Sequence, residues 1–289
     1  MQPHIITHRG LEPSRNNFFP ESSIEAFQDQ LNRGFGLEFD PNFVKDGIVV
    51  SHDATLERIT NGTDTRSFQE ISENEATSFE YGKKKKGRMP TLEELLTAMN
   101  SAPAIVHALH FKGTFQTRKK NSTWLLNEIE NFPTLWDHLV VFDVLPDTAV
   151  RFKKQNEHLH IAPSVAHPYD IKRYNKAVSG TLMTIEESIS HRDIYDWVLL
   201  DEWDLSDENG KTKKLHTKEN YEKLKKAGFN IALVTPELHG TSPGLLGGEA
   251  HPDAKNNERL FERIEEIIEL EPDAIITDYP EEVRKLTEV

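Results

Sequence analysis

Short apolar runs alternate along this chain with longer stretches whose apolar residues recur every three to four positions. The runs at residues 4–8, 36–40, 48–52, 104–112, 139–143, 159–162, 197–201, 230–235 and 274–277 read as strands, most of them buried on both faces. Between them, residues 23–33, 91–100, 122–131, 147–156, 217–227 and 258–270 read as helices. Ile264, Ile267 and Ile268 fall on one face of the last of these. Thr91, with Glu94 three residues on and Pro90 before it, forms a capping box. Strand and helix alternating over the whole length imply a parallel sheet with helices outside it. The expected class is α/β, and a closed (β/α)₈ barrel fits 289 residues. Nine candidates compete for its eight places. Asp46-Gly47 is a hairpin-type turn, which lets residues 48–52 pair back on the strand before them.

Two stretches exceed a plain connection. Residues 53–89 are polar and carry four consecutive lysines, Lys83 to Lys86, which read as a solvated loop. Residues 236–257 are rich in Gly and Pro and follow a strand's C-terminal end, where barrel loops carry active sites. No repeat or linker divides the chain, so residues 1–289 read as one barrel domain.

The 34 basic and 48 acidic residues give a net charge of −14, which argues against a nucleic-acid or anionic-membrane surface. A small phosphate-bearing ligand needs only a local site and stays open. Thirteen histidines and no cysteine exclude thiolate metal sites and cysteine nucleophiles, and direct any metal chemistry toward imidazole and carboxylate ligands. No apolar run resembles a leader or a membrane span, and the expected location is cytoplasmic.

Polar residues recur where the strands end. Glu38 and Asp40 are two apart and share a strand face. With one further ligand they make an oxygen-rich site for a hard divalent cation. His8 and His52 titrate near neutrality and can serve as general acid and base. Arg9 and Lys112 can hold an anion, and His110 shares a face with Lys112. Asp201 and Glu202 end another strand. In a barrel all these ends converge on one mouth, and the combination suits phosphoryl transfer.

His8-Arg9-Gly10, Pro20-Glu21-Ser22-Ser23, Glu38-Phe39-Asp40, Asp46-Gly47, His52-Asp53 with Leu56, Arg58 and Thr60, Met89-Pro90-Thr91-Leu92-Glu93-Glu94 and Ile276-Thr277-Asp278-Tyr279-Pro280 together resemble the glycerophosphodiester phosphodiesterase family. The resemblance implies a (β/α)₈ TIM barrel with a small insertion after the third strand region, at about residues 54–88. It implies hydrolysis of a phosphodiester to an alcohol and a phosphomonoester, typically glycerol 3-phosphate, with one divalent cation, Mg²⁺ or Ca²⁺. Carried over by position, His8 and His52 are the acid/base pair, Glu38 and Asp40 are metal ligands, and Arg9 and Glu21 line the site.

Departures from the family pattern change the picture in places. His110 stands two before Lys112, where the family has a third carboxylate ligand. An imidazole there removes a negative charge and favours Mn²⁺ or Zn²⁺. Val234-Thr235 replaces a Trp-Thr pair, removing an aromatic wall. Asp201, Glu202, Glu237 and His239 are placed to meet the alcohol portion of the substrate. Two other readings remain open: a barrel that binds a phosphorylated ligand without turnover, and a phosphodiesterase for sugar-linked cell-surface diesters. The expected partner is a small-molecule phosphodiester, with no nucleic acid and no membrane insertion.

Overall fold

A computed structural model describes residues 2–102, 105–203, 214–238 and 251–288. His239 lies outside the described residues. The strands are β1 (His4–His8), β2 (Gly36–Phe39), β3 (Pro41–Phe43), β4 (Ile48–Val50), β5 (Glu80–Tyr81), β6 (Gly87–Arg88), β7 (His107–His110), β8 (Leu139–Phe142), β9 (His160–Ile161), β10 (Ser164–Val165), β11 (Leu182–Met183), β12 (Trp197–Leu200), β13 (Asn230–Val234) and β14 (Ala274–Thr277).

Ten of these form one parallel sheet in the order β11-β10-β12-β13-β14-β1-β2-β7-β8-β9. β9 and β10 are halves of a single stave, separated only by Ala162 and Pro163. Pro163 has no N–H to donate, so the ladder is interrupted there without the chain changing course. Ala162 N–H still bonds to Val141 O at 2.9 Å, and Leu199 N–H bonds to Pro163 O at 3.1 Å on the other side. The stave therefore joins β8 to β12 and closes an eight-staved (β/α)₈ barrel, with β11 as a short extra strand on β10. The ninth candidate, residues 48–52, does pair back: Phe43 opposes Ile48 across the Asp46-Gly47 turn, and Val44 N–H bonds to Gly47 O at 3.1 Å.

Strand alternation sorts the side chains into two layers. Ile6, Val106, Ala108, Val140, Phe142, Ala162, Trp197, Leu199, Ala232, Ala274 and Ile276 form one cluster that fills the barrel, leaving a void of only about 10 Å³. Ile5, Leu37, Phe39, Leu109, Val141, Val198, Ile231 and Ile275 pack outward against the helices. Phe27, on helix Ile24–Asn32, is fully buried in that outer layer; truncating such a ring costs about 3–5 kcal/mol. The inward parity carries on to polar residues at the C-terminal ends: His8 after Ile6, His110 after Ala108, Asp201 after Leu199, and Asp278 after Ile276.

The helices begin where hydroxyl caps permit. Ser23 accepts from Ala26 N–H, and Thr91 forms the full capping box with Glu94. One expected helix starts earlier than residue 122, at Lys119, after a short turn Gly113–Gln116. Residues 168–190 contain two further helices, Pro168–Tyr174 and Ile185–Ser190, too short to show a clear periodicity in the sequence. No helix among the described residues is long and apolar enough to cross a membrane.

Residues after β4 join Val44 and Val49 of the hairpin in a small separate core with Leu56, Phe68, Ile71, Ala76 and Met89. β5 and β6 form a hairpin at its edge, and Lys83 to Lys86 occupy the turn. Gly82 opens that turn at φ +105°, where an added Cβ would lie 2.2 Å from Lys85 O, so no other residue fits.

Candidate active site

The site begins at the end of β1. Arg9 follows His8 in the left-handed region at φ 54°, a conformation that costs a non-glycine residue about 1–2 kcal/mol. Two backbone bonds hold it there, Arg9 N–H to Glu38 O at 3.1 Å and Ser22 N–H to Arg9 O at 2.8 Å. The strained turn sets the buried guanidinium between two acids, with Nη1 3.2 Å from Glu21 Oε2 and Nε 3.4 Å from Asp40 Oδ2.

β2 delivers Glu38, and Asp40 follows on the same face, both buried. The β3–β4 hairpin then returns the chain to the mouth: Ser51 N–H bonds to Asp40 O at 3.0 Å, and His52 comes next. β7 contributes His110 and, beyond its end, Lys112, whose Nζ lies 3.2 Å from Asp40 Oδ1 and also donates to His52 O. Ligand atoms of Glu38, Asp40 and His110 all lie within 4.8 Å of one another, a metal-sized group among the described residues.

Each histidine of the proposed pair is backed by an acid. His8 Nδ1 lies 2.9 Å from Asp278 Oδ1, and His52 Nδ1 lies 3.0 Å from Asp53 Oδ1. Arg58 bonds to both Asp53 and Glu21, so an ion-pair chain runs from Asp40 through Arg9, Glu21, Arg58 and Asp53 to His52. His110 bridges two carboxylates, with Nδ1 2.9 Å from Asp40 Oδ1 and Nε2 3.4 Å from Asp143 Oδ2, and stacks on Phe142 at 4.7 Å.

The electrostatics follow from these contacts. Burial and the neighbouring Asp40 push the Glu38 carboxyl up to about 8. Asp40 is equally buried, yet Lys112, His52, His110 and Arg9 hold it well below the usual carboxylate range. Burial, with Lys112 and Arg9, outweighs Asp40 and Asp53 and takes His52 down to about 4. Burial also opposes the charged form of His110, but its bonds to Asp143 and Asp40 prevail and raise it to about 9.

Of the residues singled out in the sequence, His8, Arg9, Glu21, Glu38, Asp40, His52, His110 and Lys112 come together here. Asp201 ends β12 on the inward parity. Glu202 faces elsewhere: it accepts from the Leu215 and His216 N–H groups and pairs with Arg263 at 3.0 Å, all buried. Glu237 Oε1 accepts from Thr235 Oγ1 at 2.7 Å, Thr277 Oγ1 at 2.6 Å and Asp278 N–H at 3.0 Å. Burial and nearby Asp278 raise its carboxyl to about 7. Glu237 therefore braces the strand end that carries Asp278. The sequence alone assigns no role to Asp278 or Asp143. The parity of Ala274, Ile276 and Asp278 was the available signal for the first. Asp143 sits at φ 65°, which strand parity does not describe.

A sequence profile of the glycerophosphoryl diester phosphodiesterase family matches residues 8–282. The chain belongs to this family. It is an enzyme of the phosphoric diester hydrolase class. Among solved structures it is similar to a glycerophosphoryl diester phosphodiesterase from Parabacteroides distasonis (TM-score 0.66, 21% identity, covering 99% of this chain and 86% of that one). It is also similar to an Oleispira antarctica phosphodiesterase in complex with its product sn-glycerol-3-phosphate (TM-score 0.66, 16% identity, covering 100% and 98%). A Galdieria sulphuraria protein assigned as a glycerophosphodiester phosphodiesterase gives a TM-score of 0.69 at 17% identity, covering 99% and 98%. At these identities the likeness concerns the fold. No curated protein matched the sequence.

Proposed function

We propose that this enzyme cleaves a glycerophosphodiester-like small molecule to an alcohol and a phosphomonoester such as glycerol 3-phosphate, using a divalent cation and the pair His8 and His52. The observation that carries the reading is two buried carboxylates, Glu38 and Asp40, in the same mouth as two histidines that each have an acid on Nδ1.

The donor set fits a cation. Glu38 Oε2 is buried with no hydrogen-bond partner, and its carboxyl resists ionisation beside Asp40. A cation there removes both penalties. Glu38 and Asp40 would hold it, with His110 as the nearest third donor. When bound it supplies charge stabilisation to the phosphoryl oxygens, of the kind an oxygen-rich Mg²⁺, Ca²⁺ or Mn²⁺ site gives.

The protein's own groups do the rest. Arg9 and Lys112 are cations positioned for the non-bridging oxygens. His52, kept neutral by its surroundings, takes the proton from the attacking oxygen. An imidazolium at His8 has buried Asp278 at 2.9 Å to compensate it, so His8 gives its proton to the departing alkoxide. The test is release of glycerol 3-phosphate from glycerophosphodiesters with added divalent cations and with chelator. Turnover should need the cation and collapse in His8→Ala and in His52→Ala; full turnover in either variant would sink the assignment.

A further inference from the structure

The four lysines read from the sequence as a solvated loop are exposed at Lys83, Lys84 and Lys86, and they also stand over a cavity. It has a volume of about 370 Å³, and its walls include Leu11, Phe18, Ile59, Arg58 and all of Lys83 to Lys86. That is the size of a small-ligand pocket. It adjoins the catalytic mouth through two side chains that line it: Glu21, which pairs with Arg9, and Arg58, which pairs with Glu21 and Asp53.

The lysines are positioned by the fold. Gly82 permits the tight turn, and its Cβ position also lies 3.0 Å from Pro20 Cγ. At the other end Gly87 packs so closely on Ser23 that a Cβ would sit 2.6 Å from it. Tyr81 Oη donates to Glu21 O at 3.1 Å and Ser22 O at 2.8 Å, tying the hairpin to the catalytic loop. Lys84 Nζ lies 5.5 Å from the Phe18 ring and Lys85 Nζ 4.1 Å from the Phe19 ring, which holds both ammonium groups near the rim. Among the described residues none of the four is ion-paired with a carboxylate. In a protein of net charge −14, that is a concentrated local reversal of sign.

We propose that this cavity is a subsite for an anionic group on the alcohol side of the substrate, so that the preferred phosphodiesters carry a second negative charge beyond the scissile phosphate. The inference rests on the phosphodiesterase reading above and adds a substrate class to it. A cationic headgroup such as choline would meet like charge there, whereas a phosphate or carboxylate on the alcohol portion would meet the lysines.

The experiment compares kcat/KM for three diesters: glycerophosphoglycerol, glycerophosphocholine, and glycerophosphoinositol carrying a 4-phosphate. Wild-type protein should favour the phosphorylated inositol diester over glycerophosphoglycerol by at least about tenfold, and added salt should erode the ratio. Replacing all four lysines by Gln should abolish the preference, and replacing them by Arg should keep it. An equal ratio in the wild-type and Gln proteins, or a wild-type preference for glycerophosphocholine, overturns the subsite while leaving phosphodiester hydrolysis intact. A preference that appears only when substrate is presented in anionic vesicles also overturns it, in favour of surface docking. Failure to hydrolyse any of the three overturns the underlying reading and this inference with it.

Discussion

His8 Nδ1 and Asp278 Oδ1 stand 2.9 Å apart across 270 residues of chain, brought together because β1 and β14 are neighbours in the barrel. The register pairs Ile6 with Ile276 and Thr7 with Thr277, so the next position on each strand places the dyad at the mouth. Asp278→Asn keeps the shape and removes the charge that orients and compensates the imidazole. It should lower kcat by about 10²-fold with little change in KM, as read from steady-state kinetics. An unchanged kcat would remove His8 as the proton donor.

Glu38→Gln should raise the stability of the cation-free protein. The folded pKa of Glu38, about 8, lies above its ordinary 4.5. Below 4.5 the group is protonated in both states. Between 4.5 and 8 the unfolded chain releases a proton that the folded protein keeps, so stability falls as pH rises through that window. The Gln variant lacks this loss. Thermal melts at pH 8 in chelator should place it several degrees above wild type, and added Mn²⁺ or Mg²⁺ should raise wild type only. A lower melting temperature for the variant would contradict the buried repulsion.

His107 makes the opposite prediction at acid pH. Its ring is buried on the outer face of β7, where Nδ1 accepts the Leu37 N–H at 3.1 Å, and burial pulls it down to about 3 from 6.5. Above 6.5 its contribution to stability is fully present. As pH falls from 6.5 toward 3, the unfolded chain takes up a proton that the folded one does not, costing up to about 1.4 kcal/mol per unit. Urea unfolding at pH 7 and pH 5 should show wild type losing about 1–2 kcal/mol more than His107→Asn. Equal losses would place the acid sensitivity elsewhere.

His110 separates the candidate cations. Imidazole favours Mn²⁺ over Mg²⁺, so His110→Ala should weaken Mn²⁺ binding by about tenfold, or 1.4 kcal/mol, and Mg²⁺ binding by less. Calorimetric titration of the two ions decides it. Equal weakening of both would assign His110 to bridging Asp40 and Asp143 instead of to the cation.

Much of this arrangement was legible in the sequence because a strand's period of two is rigid. Once Ile6, Ala108, Leu199 and Ile276 are read as interior, the parity of His8, His110, Asp201 and Asp278 follows. Asp46-Gly47 likewise foretold which of nine strand candidates leaves the ring. What lay beyond reach depended on chain reversals and on contacts between distant segments. Asp143 reaches His110 only through a left-handed residue, and Glu237 has no strand pattern to announce that it braces Asp278. The Lys83–Lys86 run gave only its charge; its place beside Glu21 depends on how Gly82 and Gly87 pack on the Pro20–Ser23 segment.

The closure of the ring has a consequence for biosynthesis. β14 is hydrogen-bonded to β13 on one side and to β1 on the other. Until β14 leaves the ribosome, the nascent polypeptide holds an open sheet with β1 and β13 as raw edges, the kind of surface that invites chaperones or aggregation. Stalled chains ending before β14 should leave β1 open to protease, and chains that include it should not. Prematurely terminated copies should then lack turnover in the glycerol 3-phosphate release assay, since they carry His8 without the Asp278 carboxylate that lies 2.9 Å from it.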